Sequence, residues 1–407
     1  MMIERREFLE GVAGLVLADQ VVPAAHSMLS SGYIIRSGGR VRGMAEGRAL
    51  GPDGRFRSFT RRRPFRVASV SKMVTAFGFM TLAMRGDVDL DADVSAYLGE
   101  TFRHPSHPGQ PLTPRLLLSH TSGLRNGDDF PVPFNQSLLG RLRHAASEAS
   151  FGGWLAASEQ SPGQWFAYSD TNFAVIAQII ERVTSRRFDL FMREALFAPL
   201  GLDIGYNWSG VSQRKRRLAA AGCRWDGSAW RAQVDAHPPP APEPALYRAE
   251  GDVALTVADY RLGENGFAFA PHGGLRLSLG DMDVLAQLFA AAPEARTQAG
   301  AAWMFTPEAV NGETADGFYQ AYGLGTQVPL GRSEDAFFGP DSGEWRGHCG
   351  DAYGWMTGLW WNTRARATLV YAINGMPEEN RPQSARTALT EAEQALIDRA
   401  LRDAGLI

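Results

Sequence analysis

The twelve residues Met73–Met84 contain no charge and are apolar on nearly every face. A helix of that kind cannot lie on a surface; it needs a core that encloses it. Residues 70–85 read as this helix, stopped by Gly86. The chain's 407 residues are enough to build such a core, as one large domain or two associated ones. Lys72 stands at the head of the helix. A buried lysine is costly unless paired, and desolvation pushes its pKa down. Ser69 lies one turn earlier on the same face. A serine hydroxyl is a poor nucleophile until a base takes its proton, and a lysine of depressed pKa is such a base. The helix N-terminus also offers free backbone N–H groups where negative charge would develop. Ser-x-x-Lys is short, however. Alone it reads first as a capping serine and a lysine that snorkels to solvent, so partner motifs must decide.

Partners follow in order. "LTPRLLLSHTSGL" (Leu112–Leu124) holds a short helix over 111–119, with Pro114 suited to its first turn. "WFAYSDTNFAVIAQIIE" places Tyr168-Ser169-Asp170 just before a strong helix over Thr171–Arg182. Read alone, Tyr168 is a core aromatic and Asp170 a helix N-cap. "PHGGLRLSLGDM" comes next. Then "EWRGHCGDAYGW" (Glu344–Trp355) sets His348-Cys349-Gly350 in a glycine-rich strand. His348 and Cys349 cannot easily share a proton there, because neighbours in a strand point to opposite faces. His120 reads as a structural histidine at a helix end, and His272 as a residue that fixes a loop. No Gly-x-Ser-x-Gly occurs in the chain.

Taken in sequence, "FRVASVSKM", "LLSHTSGL", "YSDTNF", "PHGGLRLSLGDM" and "GHCG" resemble the class C β-lactamase-like serine hydrolases, over roughly residues 30 to 375. That family contains β-lactamases, D-amino-acid peptidases, penicillin-binding proteins and carboxylesterases. The resemblance implies an α/β, β-lactamase/transpeptidase-like fold: an antiparallel sheet flanked by helices, a mostly helical second region, and a cleft between them. It also implies roles. Ser69 is the acyl-accepting nucleophile, Lys72 its base and Tyr168 the second proton carrier. The N–H groups of Ser69 and Asp351 form the oxyanion hole, and Asp170, His348, Cys349 and Gly350 bind substrate.

Three positions depart from the family pattern. Asp170 stands where Tyr-x-Asn has asparagine. Ionised Asp only accepts hydrogen bonds, and pairing with Lys72 would raise the lysine pKa. His348 stands where Lys-Thr-Gly has lysine and is largely neutral at pH 7. Asp351 is expected to add a negative charge at the cleft edge. These departures argue against a carboxylate-bearing β-lactam and favour a small neutral ester or amide. Carboxylesterase leads, with D-amino-acid peptidase, β-lactamase and a penicillin-binding protein that acylates without turnover as alternatives.

Organisation along the chain agrees with a sheet built from both ends. Residues 32–66 are short strands punctuated by Gly38-Gly39 and Asp53-Gly54. From Trp345 onward the pattern is strand again, and Thr368–Ile373 is β-rich. Gly280–Ala290 is helical, and Thr390–Arg402 is a closing helix with Thr390 and Glu393 spaced as a capping box. The expected division is 27–90 with 260–407 as the sheet-bearing region, and 91–259 as a helical insertion. "HPPPAPEP" (His237–Pro244) reads as an extended connector.

Net charge is −3, from 41 basic and 44 acidic residues, which leaves no electrostatic footprint for nucleic acid. The runs Arg61–Arg63 and Arg214–Arg217 read as solvated turns. Two cysteines, Cys223 and Cys349, form no disulfide framework, although a single bridge between them is open in an oxidising compartment; they have no metal spacing, and no cofactor is expected. No apolar run reaches the roughly 20 residues a membrane span needs. In residues 1–26, Arg5-Arg6 before a short apolar run resembles a twin-arginine export signal, which implies the periplasm. Read instead as an amphipathic helix, it leaves the chain cytoplasmic. Oligomeric state is not legible.

Overall fold

The two β-rich ends of the chain pair into one sheet. The computed structural model describes residues 28–127, 132–145, 153–154, 161–233, 257–293, 311–312, 318–362, 364–376 and 381–407. Strands β1 (Ser30–Ser37), β2 (Arg40–Leu50) and β3 (Phe56–Ser58) come from one end. Strands β4 (Trp345–Ala352), β5 (Trp355–Asn362) and β6 (Thr368–Asn374) come from the other. They form a six-stranded antiparallel sheet in the order β4-β5-β6-β1-β2-β3. The halves meet where β1 pairs with β6, Tyr33 opposite Tyr371. Gly38 and Gly39 take φ of 55° and 76° in the β1–β2 turn, the left-handed pair that a two-residue hairpin requires.

Strand alternation sorts the side chains into two layers. Ile34, Val370, Leu359 and Trp361 face a core with α1 (Val70–Arg85). Tyr33, Ile35, Leu369 and Tyr371 face the opposite way. Helices α2 (Pro114–Leu118), α3 (Asp170–Thr184), α4 (Leu279–Ala291) and α5 (Glu391–Ala404) complete the layers. Helix α4 joins α1 on the first face, with Phe77 edge-on to Phe289 at 5.0 Å. Helix α5 covers the second face through Leu396, Ile397 and Leu401. Thr390 and Glu393 form the expected capping box at its start.

Helix α1 is enclosed as its composition demands. Every residue from Val70 to Met80 is buried, and Gly86 ends the helix at φ 78°. Each large apolar side chain so buried contributes about 1.5–3 kcal/mol. The helical side, with α2 and α3, packs against the other flank of α1. It is stitched to the entry of α1 by a small sheet, in which Leu275–Leu277 pairs with both Phe65–Arg66 and Gly205–Tyr206. Ser69 therefore sits at the junction of the two regions. Residues 1–26 and the connector His237–Pro244 lie outside the described residues. Among the described residues, no helix is long and apolar enough to cross a membrane.

Candidate active site

Ala68 enters α1 in the left-handed region, at φ 47°, uncommon for a residue with a Cβ. Ser69 follows at the N-cap position, but its side chain makes no capping hydrogen bond. Its hydroxyl instead accepts from Lys72 Nζ at 3.1 Å. Lys72 is fully buried. Its Nζ also donates to the His272 carbonyl at 3.2 Å and pairs with Asp170 Oδ1 at 2.5 Å. An ammonium has three protons to donate, and three acceptors meet them. Burial holds the Lys72 pKa below the ordinary lysine range, while the Asp170 carboxylate opposes that shift. On Asp170, burial works upward, but the Lys72 ammonium outweighs it and holds the carboxyl at about 2.

Loop contacts fix the Tyr168–Asp170 turn. Ser169 caps α3, accepting from Thr171 N. Asn126 Oδ1 accepts from Asp170 N at 2.9 Å and from Ser169 Oγ at 3.1 Å. His120, itself left-handed at φ 59°, accepts from Ser169 N through Nδ1 at 3.1 Å. That bond assigns the ring proton to Nε2. Burial, with the nearby Lys72 charge, keeps the imidazole neutral well below its usual range. His120 is thus the structural histidine read from the sequence. The ring of Tyr168 lies 4.6 Å from Lys72 Nζ. Burial and Asp170 raise the phenol's pKa well above normal, against smaller lowering contributions from Ser69 and Tyr319. Tyr168 is therefore a protonated phenol at neutral pH.

Strand β4 closes the third side, at the edge of the sheet. Gln327 bridges its outer edge: Gln327 N donates to Gly347 O at 2.7 Å, and Cys349 N donates to Gln327 Oε1 at 2.6 Å. N–H groups at 347 and 349 thus point outward, and the period of two points that of Asp351 the same way. Gly350 brings the strand against the start of α1. A Cβ there would press on the Val67 carbonyl oxygen, and would lie 2.6 Å from Thr357 Oγ1 and 3.1 Å from Ser69 N. Only glycine permits that approach.

The Beta-lactamase family model matches residues 20–394. The chain belongs to the beta-lactamase family. It is 28% identical over 165 residues to penicillin-binding protein 4* of Bacillus subtilis, covering 36% of this chain and 33% of that protein. It is also 28% identical over 138 residues to penicillin-binding protein 4 of Amycolatopsis lactamdurans, 34% of each. The matched stretch thus spans about a third of the length of these relatives. Among solved structures, the beta-lactamase/D-alanine carboxypeptidase of Yersinia pestis superposes with a TM-score of 0.62 at 18% identity, covering 93% of both chains. The D-amino acid amidase of Ochrobactrum anthropi SV3 gives 0.62 at 18%, covering 92% of this chain and 94% of its own. These likenesses show the β-lactamase/transpeptidase-like fold.

Within this beta-lactamase-family fold, the third motif departs from the sequence expectations. His348 faces the α1 side but is fully buried. Its Nε2 pairs with Tyr322 Oη at 2.8 Å, and its Nδ1 with the Cys349 carbonyl oxygen. Burial, reinforced by Lys72, takes its pKa down to about 3. It is neutral and covered. Cys349, expected among the substrate contacts, turns to the opposite face, its Sγ 3.3 Å from Tyr371 Oη under α5. Asp351 shares the face of Cys349 by alternation. Its carboxylate pairs with Arg381 and adds no free negative charge to the cleft. Both cysteines are buried and free. We expect Cys349→Ser to keep most of the activity, within about threefold, because the thiol faces away from Ser69; steady-state hydrolysis of a nitrophenyl ester checks it.

The sequence reading passed over three residues that the fold adds: Asn126, Gln327 and Tyr319. Asn126 and Gln327 use side-chain oxygens to accept from backbone N–H groups, which leaves no residue pattern. Tyr319, stacked on Tyr168 at 4.9 Å, sits in "FYQAYGLGTQ", where the glycines were a visible but unused signal.

Proposed function

We propose that this chain is a serine hydrolase that cleaves small neutral esters or amides through an acyl-enzyme on Ser69, acting first as a carboxylesterase. The observation that carries this reading is the Ser69 hydroxyl, released from capping and held at 3.1 Å by the buried Lys72. Ser69 Oγ attacks the carbonyl carbon as its proton passes to neutral Lys72, and the carbonyl π pair moves onto oxygen. The oxygen gathers charge between the N–H groups of Ser69 and Asp351, and Tyr168 hands its proton to the leaving group. Water then attacks the ester on Ser69, giving one proton to Tyr168, while Lys72 returns its proton to Ser69 Oγ as the acyl bond breaks. Neutral substrates are favoured because the third motif supplies no cation for a carboxylate: His348 is neutral, and Asp351 is already balanced by Arg381.

Lys72 at rest holds its proton with three acceptors, so it must lose that proton before it can take one from Ser69. Asp170 favours the charged form. In Asp170→Asn that support is gone and the Lys72 pKa falls further. The acid limb of the kcat/KM profile is then expected to move to lower pH, read by a pH series on a nitrophenyl ester. A limb that stays in place removes neutral Lys72 as the working base.

Substrate class is tested with a side-by-side panel: a short-chain nitrophenyl ester, a chromogenic cephalosporin and a D-alanyl peptide. Steady turnover fastest on the ester supports the carboxylesterase reading. Fastest turnover of the cephalosporin or the peptide replaces it with the β-lactamase or peptidase reading. A single-turnover burst followed by silence marks a penicillin-binding protein without turnover.

A further inference from the structure

Tyr168 is tied firmly at its backbone, while its tip has only the hydroxyls of Ser69 and Tyr319 beside it. Its loop is tied by His120 and Asn126, yet its buried hydroxyl has no well-aligned hydrogen bond. Ring packing also holds it in place. Two rings do so. His120 lies 4.4 Å from the Tyr168 centroid at 34°, and Tyr319 lies 4.9 Å away at 14°. One stacked ring and one tilted ring this close cannot share one face, so Tyr168 is clamped between them. His120 is fixed by its own hydrogen bonds. Tyr319 is wedged by Phe318 at 5.0 Å, Phe166 at 5.6 Å and Tyr322 at 6.0 Å. It is half-buried.

We propose that Tyr319 is a positioning residue for the reaction: its ring is the second jaw of the clamp that keeps the Tyr168 hydroxyl beside Ser69. The role belongs to the stacked ring. The proposal rests on the Ser69 acyl-enzyme reading, in which Tyr168 carries a proton. It adds a residue from a segment distant in sequence from every motif that reading uses.

The test compares Tyr319→Ala and Tyr319→Phe with the wild-type chain, on a nitrophenyl ester, with thermal unfolding alongside. Tyr319→Ala is expected to lower kcat about 10²-fold, as a small misplacement of a catalytic group does, with KM little changed. Tyr319→Phe keeps the stack and is expected to restore kcat to within about threefold of wild type, with the same pH profile. Three results overturn the proposal: a Tyr319→Ala enzyme with wild-type kcat, a loss confined to KM, or a Tyr319→Phe enzyme as slow as the alanine variant. Fluorophosphonate labelling of Ser69 separates this from the underlying reading, since the nucleophile must label in wild type whichever way Tyr319 behaves.

Discussion

Ser69→Ala is expected to lower hydrolysis by about 10⁴-fold or more while the fold stands. The hydroxyl makes no capping bond, so α1 loses nothing at its start. What it loses is one of the three acceptors around the Lys72 ammonium, and two remain, Asp170 and the His272 carbonyl. A stability loss of about 1–2 kcal/mol follows from that one missing partner. Activity responds differently, because among the described residues no other hydroxyl accepts from Lys72 Nζ. The measurement is paired: ester hydrolysis, and mass labelling by a fluorophosphonate. Wild type should gain the mass at Ser69 and the variant should gain none. Labelling that survives the change would place the nucleophile elsewhere and remove the acyl-enzyme reading with it.

The parts of the site that were legible in the sequence are those fixed by local geometry. Ser69 and Lys72 share a helix face, so spacing alone brought them together, and the uncharged run behind them announced the burial that tunes the lysine. The sheet was legible for a similar reason, since β-rich runs bounded by glycine turns lie at both ends of the chain. The third motif was half legible. Alternation said that His348 and Cys349 oppose each other, but not which one faces α1. That required an anchor, and Tyr371 under α5 supplies it. The charge expected from Asp351 failed on the same point, because its side chain follows Cys349 to the Arg381 side. Least legible was the segment around Tyr319 and Gln327. Its place is set by packing across the fold: Gly325, at φ 68°, lies so close to α1 that a Cβ would be 2.6 Å from Ala76 Cβ and 3.2 Å from the Lys72 carbonyl. No local pattern encodes that contact.

Gly350→Ala is expected to cost about 10²–10³ in kcat, the loss typical of one missing oxyanion donor. The added methyl would meet backbone at Val67 and Ser69, and Thr357 Oγ1, which is itself committed to the Val67 carbonyl at 2.9 Å. None of these can rotate away. The strand must retreat from α1, and it carries the Asp351 N–H with it, away from Ser69. Stability should fall by about 1–3 kcal/mol, as for other overpacked sites. A control separates this from general damage. Gly32→Ala is also crowded, with a Cβ 2.8 Å from the Met44 carbonyl oxygen and 2.9 Å from Leu279 Cδ1, but it lies in β1, three strands from β4. It should lose comparable stability and keep its kcat. If both variants lose kcat in proportion to their unfolding, the effect is global. If Gly350→Ala alone falls, the close approach of β4 to Ser69 is what the oxyanion requires.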